Sequence, residues 1–87
     1  MNHLLIRHRV ADFPRWKTVY DAHAAARTQA GLKERDLWHD MADPSQIVLL
    51  YEVADVQKAR DFCESADLRE AMQKAGVTDQ PDVYFLR

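Results

Sequence analysis

The chain of 87 residues has a single cysteine, Cys63, so no intrachain disulfide framework holds it together and packing must do that work. Two glycines and three prolines are too few to make a flexible linker, and there are no repeats or low-complexity stretches. No apolar run approaches the ~18 residues that a membrane span needs. The opening MNHLLIRHRV has too short an apolar stretch and too many charges for a secretory signal, and the cytoplasm is the expected compartment. Twelve Lys and Arg against fourteen Asp and Glu leave a net charge of −2, with the basic residues scattered, so nothing argues for a nucleic-acid partner. The four histidines, His3, His8, His23 and His39, follow no HxH or HxxxH spacing, and no cysteine pair or close carboxylate pair stands beside them. Neither a metal nor a cofactor is expected.

What remains is a chain with 47% hydrophobic and 30% charged residues, expected to fold as one domain over 1–87 with a core of marginal size. Its central stretch is Asp12 to Gly31. Asp12 is placed to cap a helix, Pro14 is tolerated in a first turn, and Gly31 suits the left-handed residue that ends one. Phe13, Trp16, Tyr20, Ala24 and Arg27 recur at spacings of three and four, with His23 beside them, as one amphipathic stripe. His23 and Arg27 lie inside the stripe. Polar groups on a packing face need partners, which makes these two the first site candidates.

Before this helix, His3 to Val10 alternates as a strand, with Leu4, Ile6, His8 and Val10 on one face and His3, Leu5, Arg7 and Arg9 on the other. After it, Leu32 to Met41 reads as an edge strand. Asp43-Pro44 has the chemistry of a type I turn and suggests a hairpin. Gln46 to Val53 is apolar on both faces, as suits a central strand covered on both sides. Asp55 is expected to cap a second helix carrying Val56, Ala59, Phe62, Cys63 and Ala66. That helix breaks near Ser65–Asp67 and restarts with Asp67 and Glu70 at capping-box spacing, continuing to Gly76. Val83 to Leu86 forms the last strand.

The order β-α-β-β-α-β is that of a ferredoxin-like α+β fold, a four-stranded antiparallel sheet with strands one and three central and both helices on one face. The other face would then leave either Val48 and Leu50 or Ile47, Leu49, Tyr51 and Val53 to water. At ~25 cal/mol per Å2 that exposure forgoes several kcal/mol. A second copy packed sheet to sheet removes the cost, so a homodimer is expected.

Several stretches carry a resemblance: the first strand running into Val10-Ala11-Asp12-Phe13-x-x-Trp16, then Tyr20-x-x-His23-x-x-x-Arg27 up to Gly31, Asp43-Pro44 before an apolar strand, and Asp67-Leu68-Arg69-Glu70-Ala71-Met72 before Ala75-Gly76-Val77. Over nearly its whole length the chain resembles the dimeric α/β-barrel superfamily, in particular small stand-alone members related to antibiotic-biosynthesis monooxygenases. That resemblance implies a dimeric barrel with a small-molecule pocket between the helices and sheet of each subunit. It does not imply one reaction, since the superfamily includes cofactor-independent monooxygenases, haem-degrading enzymes, isomerases and polyketide cyclases. A haem-ligand role for His8 or His23 would rest on that analogy alone.

His8, His23 and Arg27 are therefore the candidate catalytic residues, converging on one cavity walled by Trp16, Tyr20 and Trp38. Arg27 would hold an anionic or phenolic oxygen, and His8 or His23 would act as a base on a compact aromatic or polyketide-like molecule. The competing expectation is a non-catalytic dimeric interaction or metabolite-binding module, in which Arg27 pairs with Glu52 or Asp36 and the histidines are ordinary core or rim residues. Arg7 and Arg9 are expected to form ion pairs across the dimer interface. If the first strand's phase were reversed, they would enter the site and His8 would leave it. Cys63, on an inner stripe without an activating base, is expected to be inert.

Overall fold

The computed structural model describes all of residues 1–87. The strands are β1 (Asn2–Arg9), β2 (Leu32–His39), β3 (Gln46–Val53) and β4 (Asp82–Leu86), and the helices are α1 (Phe13–Ala22), α2 (Ala24–Gln29), α3 (Val56–Cys63) and α4 (Ala66–Ala75). They form one four-stranded sheet in the order β2-β3-β1-β4, antiparallel throughout, the expected ferredoxin-like α+β topology.

Side-chain alternation in the two central strands sets the layering. Leu4, Ile6 and His8 of β1, with Ile47, Leu49, Tyr51 and Val53 of β3, are buried toward the helices. Trp16, Ala59 and Ala75 come down on them from the helical layer. On the opposite face, Leu5, Val48 and Leu50 are only half-buried, and Trp38, Tyr84 and Leu86 are exposed. The centre of that face is apolar and has no cover in the single chain, with Arg7, Asp82, His3 and Glu52 toward its ends.

Local chemistry explains most of the element ends. Asp55 caps α3 by accepting from the Gln57 and Lys58 amides, and Gly31 and Gly76 take the left-handed conformation after α2 and α4, with φ of 76° and 78°. At the β2–β3 turn the Gln46 amide donates to the Asp43 carbonyl, while Ser45 donates to the Asp43 side chain. No helix is long and apolar enough to cross a membrane.

Four expectations are corrected. The long first helix is two helices, interrupted at His23, whose φ of −94° and ψ of 10° leave the regular path. No glycine or proline marks the break. It coincides with tertiary ties, since His23 Nε2–H donates to Asp67 Oδ2 of α4 (2.8 Å) and the ring stacks on Phe62 of α3 at 5.7 Å. Asp12 occupies the cap position of α1, but its side chain makes no capping hydrogen bond. The cap of α4 is Ser65, which accepts from the Leu68 amide, so Asp67 stands inside the first turn and is free to reach His23. Finally, Arg7 and Arg9 pair within their own chain. Arg7 donates to Asp82 (2.7 Å), Asp79 (3.2 Å) and Gln46 (2.7 Å), and Arg9 donates to Asp43 (3.0 Å). These ties join the end of β1 to the loop before β4, to the first residues of β3 and β4 and to the β2–β3 turn.

Candidate functional site

A cavity of about 60 Å3 lies between the sheet and all four helices. Its floor is made by Ile6 and His8 of β1 and by Leu49 and Tyr51 of β3, one wall by Trp16 and Tyr20 of α1, and the opposite side by Phe62, Leu68 and Met72. His23 and Arg27 also line it. Of the sequence candidates, His8, His23, Arg27, Trp16 and Tyr20 are thus brought together.

Trp38 is not. It stands opposite Val48 on the uncovered face, 46% exposed, away from the cavity. The cause is a β-bulge: Glu34 pairs with Tyr51 and Asp36 with Leu50, so Arg35 is an extra residue in β2. A bulge reverses the alternation beyond it. Leu32 and Glu34 before it, and Leu37 and His39 after it, share the helix side, while Trp38 turns outward.

His8 is the unusual member. It is only 4% exposed, and neither ring nitrogen has a protein hydrogen-bond partner. Trp16 lies beside it, ring centroids 5.6 Å apart. Burial, opposed by the charge of Asp79 and helped by that of Arg7, lowers its pKa to about 4, so the imidazole is neutral at pH 7. The neutral ring carries one donor and one acceptor, both buried beside the cavity. A buried polar group without a partner costs about 1–3 kcal/mol.

The other histidines are occupied. His23 is tied to Asp67. His39 Nδ1–H donates to the Pro44 carbonyl (3.0 Å) and the ring meets Phe13 edge-on at 4.5 Å, whereas His3 stands on the uncovered face opposite Glu52. Arg27 has no carboxylate partner; Glu52 pairs instead with Arg35 (2.9 Å). The Arg27 guanidinium carbon lies over the Tyr20 ring, 3.6 Å from its centroid, and Nη1 donates to the Tyr20 carbonyl (2.7 Å). Tyr20 stacks in turn on Trp16 at 4.6 Å, which makes a ladder of Trp16, Tyr20 and Arg27 along one wall. The cation is held in place with most of its N–H groups still available.

Two residues not singled out in the sequence hold Tyr20: Tyr51, which lines the cavity, and Glu34, which lies outside it. Tyr20 Oη–H donates to Glu34 Oε1 (2.5 Å), and the Tyr20 and Tyr51 hydroxyls are 2.7 Å apart. Burial is the main cause holding both phenols protonated: Tyr51 is pushed up to about 12, and Tyr20 is raised as well. Tyr51 reads in sequence as one more core residue of an apolar strand, and Glu34 as a solvated charge. The bulge puts Glu34 on the helix side of the sheet, opposite Tyr51, where it stays exposed. Cys63 is half-buried, and burial raises its pKa, so the thiol stays protonated. No group of three metal-ligating side chains converges anywhere in the chain.

Solved structures share this architecture. One, of an antibiotic biosynthesis monooxygenase, aligns with a TM-score of 0.71 and 16% identity, over 100% of this chain and 97% of that one. A candidate antibiotic biosynthesis monooxygenase from Bordetella bronchiseptica aligns with a TM-score of 0.77 and 16% identity, over 99% of this chain and 94% of its own. An uncharacterized NIPSNAP domain protein from Burkholderia xenovorans aligns with a TM-score of 0.69 and 10% identity, over 100% and 93% of the two chains. No protein-family model and no curated protein matches the sequence. The chain has the ferredoxin-like fold of antibiotic biosynthesis monooxygenase-like proteins.

Proposed function

We propose that the protein binds a compact aromatic molecule carrying an acidic hydroxyl in this cavity and acts on it as a cofactor-independent oxygenase. The observation that carries the reading is His8, a buried neutral imidazole with both nitrogens free of protein partners on the floor of an apolar cavity. His8 hydrogen-bonds the substrate's hydroxyl without taking its proton, and Arg27 stabilises the oxyanion left when that proton passes to solvent at the cavity mouth. The deprotonated substrate is itself electron-rich enough to react with oxygen. His23, committed to Asp67, is a strut of the cavity mouth on this account.

Size limits what enters. A cavity of roughly 150 Å3 is known to hold a benzene ring, and this one is about 60 Å3. A one-ring ligand therefore enters as half-buried side chains at the rim move aside; Met72, flexible and unbranched, is the easiest to displace. The working form in this proposal is a homodimer in which two uncovered sheet faces meet through Leu5, Val48, Leu50, Trp38 and Tyr84. Support comes from the apolar character of that face.

The test is oxygen uptake with a panel of phenols and hydroxynaphthalenes. Uptake by the native chain, lost in both His8→Leu and Arg27→Met, is the expected result. Saturable binding without uptake would reduce the protein to a metabolite-binding module. Uptake that survives both substitutions would remove these residues from the chemistry.

A further inference from the structure

The hydrogen bonds around Tyr20 and Tyr51 have a direction, and Glu34 imposes it. A carboxylate oxygen only accepts, so the one hydroxyl proton of Tyr20 is committed to Glu34 Oε1 (2.5 Å). The contact of 2.7 Å between the two hydroxyls must then be made by the proton of Tyr51, donated to Tyr20 Oη. Both phenolic protons are thereby used within the chain. What the pair has left to offer is lone pairs.

We propose that Glu34, outside the cavity, is a specificity-determining residue: by orienting the Tyr51–Tyr20 pair it leaves that pair of hydroxyls purely hydrogen-bond accepting, so the cavity selects small apolar ligands bearing an O–H or N–H donor over ligands of the same size bearing only a carbonyl. The proposal rests on the reading of the cavity as a small-molecule site. The other polar groups do not discriminate in this way. His8, being neutral, can serve a donor or an acceptor, and the N–H groups of Arg27 meet the oxygen of a phenol or a ketone alike. Burial keeps both tyrosines protonated, so the pair does not turn into a phenolate of a different character. The bulge at Arg35 is the structural device, because it leaves Glu34 paired with Tyr51 on the helix side while the strand beyond it faces the other way.

Glu34 acts through Tyr20 and is a positioning residue, so the readout is a ratio that a change in stability alone does not move. Phenol and cyclohexanone are titrated separately into the native chain and into Glu34→Gln, with binding followed by NMR. The native chain is expected to prefer phenol by roughly tenfold, the worth of about one net hydrogen bond. In Glu34→Gln the amide nitrogen can donate to Tyr20, which frees the chain to reverse, and the preference should fall to near unity or invert. Tyr51→Phe should likewise lose phenol affinity while keeping that for cyclohexanone. A folded Glu34→Gln with the native preference, or a native chain that prefers cyclohexanone, overturns the role of Glu34 and leaves the cavity reading intact. Binding of neither probe to the native chain overturns both.

Discussion

Replacing His8 by leucine should make the protein more stable and less able to bind. At pH 7 the substitution removes two buried ring nitrogens that have no protein partner. Their desolvation costs about 1–3 kcal/mol, and the cavity of about 60 Å3 beside the ring gives room for the new methyl groups. The expected gain, ~1–3 kcal/mol, would raise the melting temperature of a domain this small by about 4–8 °C for each kcal/mol. A second signature lies in the pH dependence. The His8 pKa is lowered to about 4 in the folded chain from an ordinary value of 6.5. Between those values the unfolded state binds more protons than the folded one, so stability rises with pH and is lost on acidification. From pH 7 to pH 5 the native chain should lose about 2 kcal/mol from this group, and His8→Leu should not lose it. The lowered carboxylates Asp43 and Asp79 act in the same direction, but mainly below this window, near their ordinary 3.8. Urea unfolding of both proteins at the two pH values provides the assay. A His8→Leu variant that is less stable at pH 7 and keeps the native pH slope would make His8 an ordinary core residue and refute the reasoning.

Leu50→Asp puts a charge at the centre of the uncovered sheet face, and light scattering should find it monomeric where the native chain is a dimer; two monomers, or two dimers, would contradict the proposed interface. Gly31→Ala should cost at least ~1–2 kcal/mol in thermal or urea unfolding, the typical penalty for a side chain in left-handed backbone. There φ is 76° and the added Cβ would lie 3.3 Å from that of Ala54. Asp55→Ala should lower stability by about 1 kcal/mol through the lost cap of α3, whereas Asp12→Ala should be nearly silent, because only Asp55 uses its side chain to cap; equal losses in the two would undo that distinction.

The sheet was legible because its central strands declare themselves. Gln46–Val53 is apolar on both faces, and only a middle position tolerates that. The phase of β1 was legible only as a choice between two faces, since either His8 or the Arg7–Arg9 pair had to turn inward. In the structure the arginines turn away from the helices, Arg7 to Asp79 and Asp82 at the far end of the chain and Arg9 to Asp43 of the β2–β3 turn. Other features had no local mark. The break at His23 falls in an alanine-rich run that favours helix, and it coincides with contacts to Phe62 and Asp67, about 40 residues away. The bulge at Arg35 lies in a stretch without glycine, and it puts Trp38 on the uncovered face and the exposed Glu34 on the helix side, opposite Tyr51. Trp16, Tyr20, His23 and Arg27 were found by helical spacing, which survives the break closely enough to keep them around one cavity.

The most direct test of a ligand site built on His8 is to follow the ring nitrogens of all four histidines, 15N-labelled, while phenol is titrated into the protein at pH 7. The account predicts a saturable shift at the His8 nitrogens, with those of His3 and His39 unmoved. His8 nitrogens that stay unchanged up to the highest phenol concentration would contradict it.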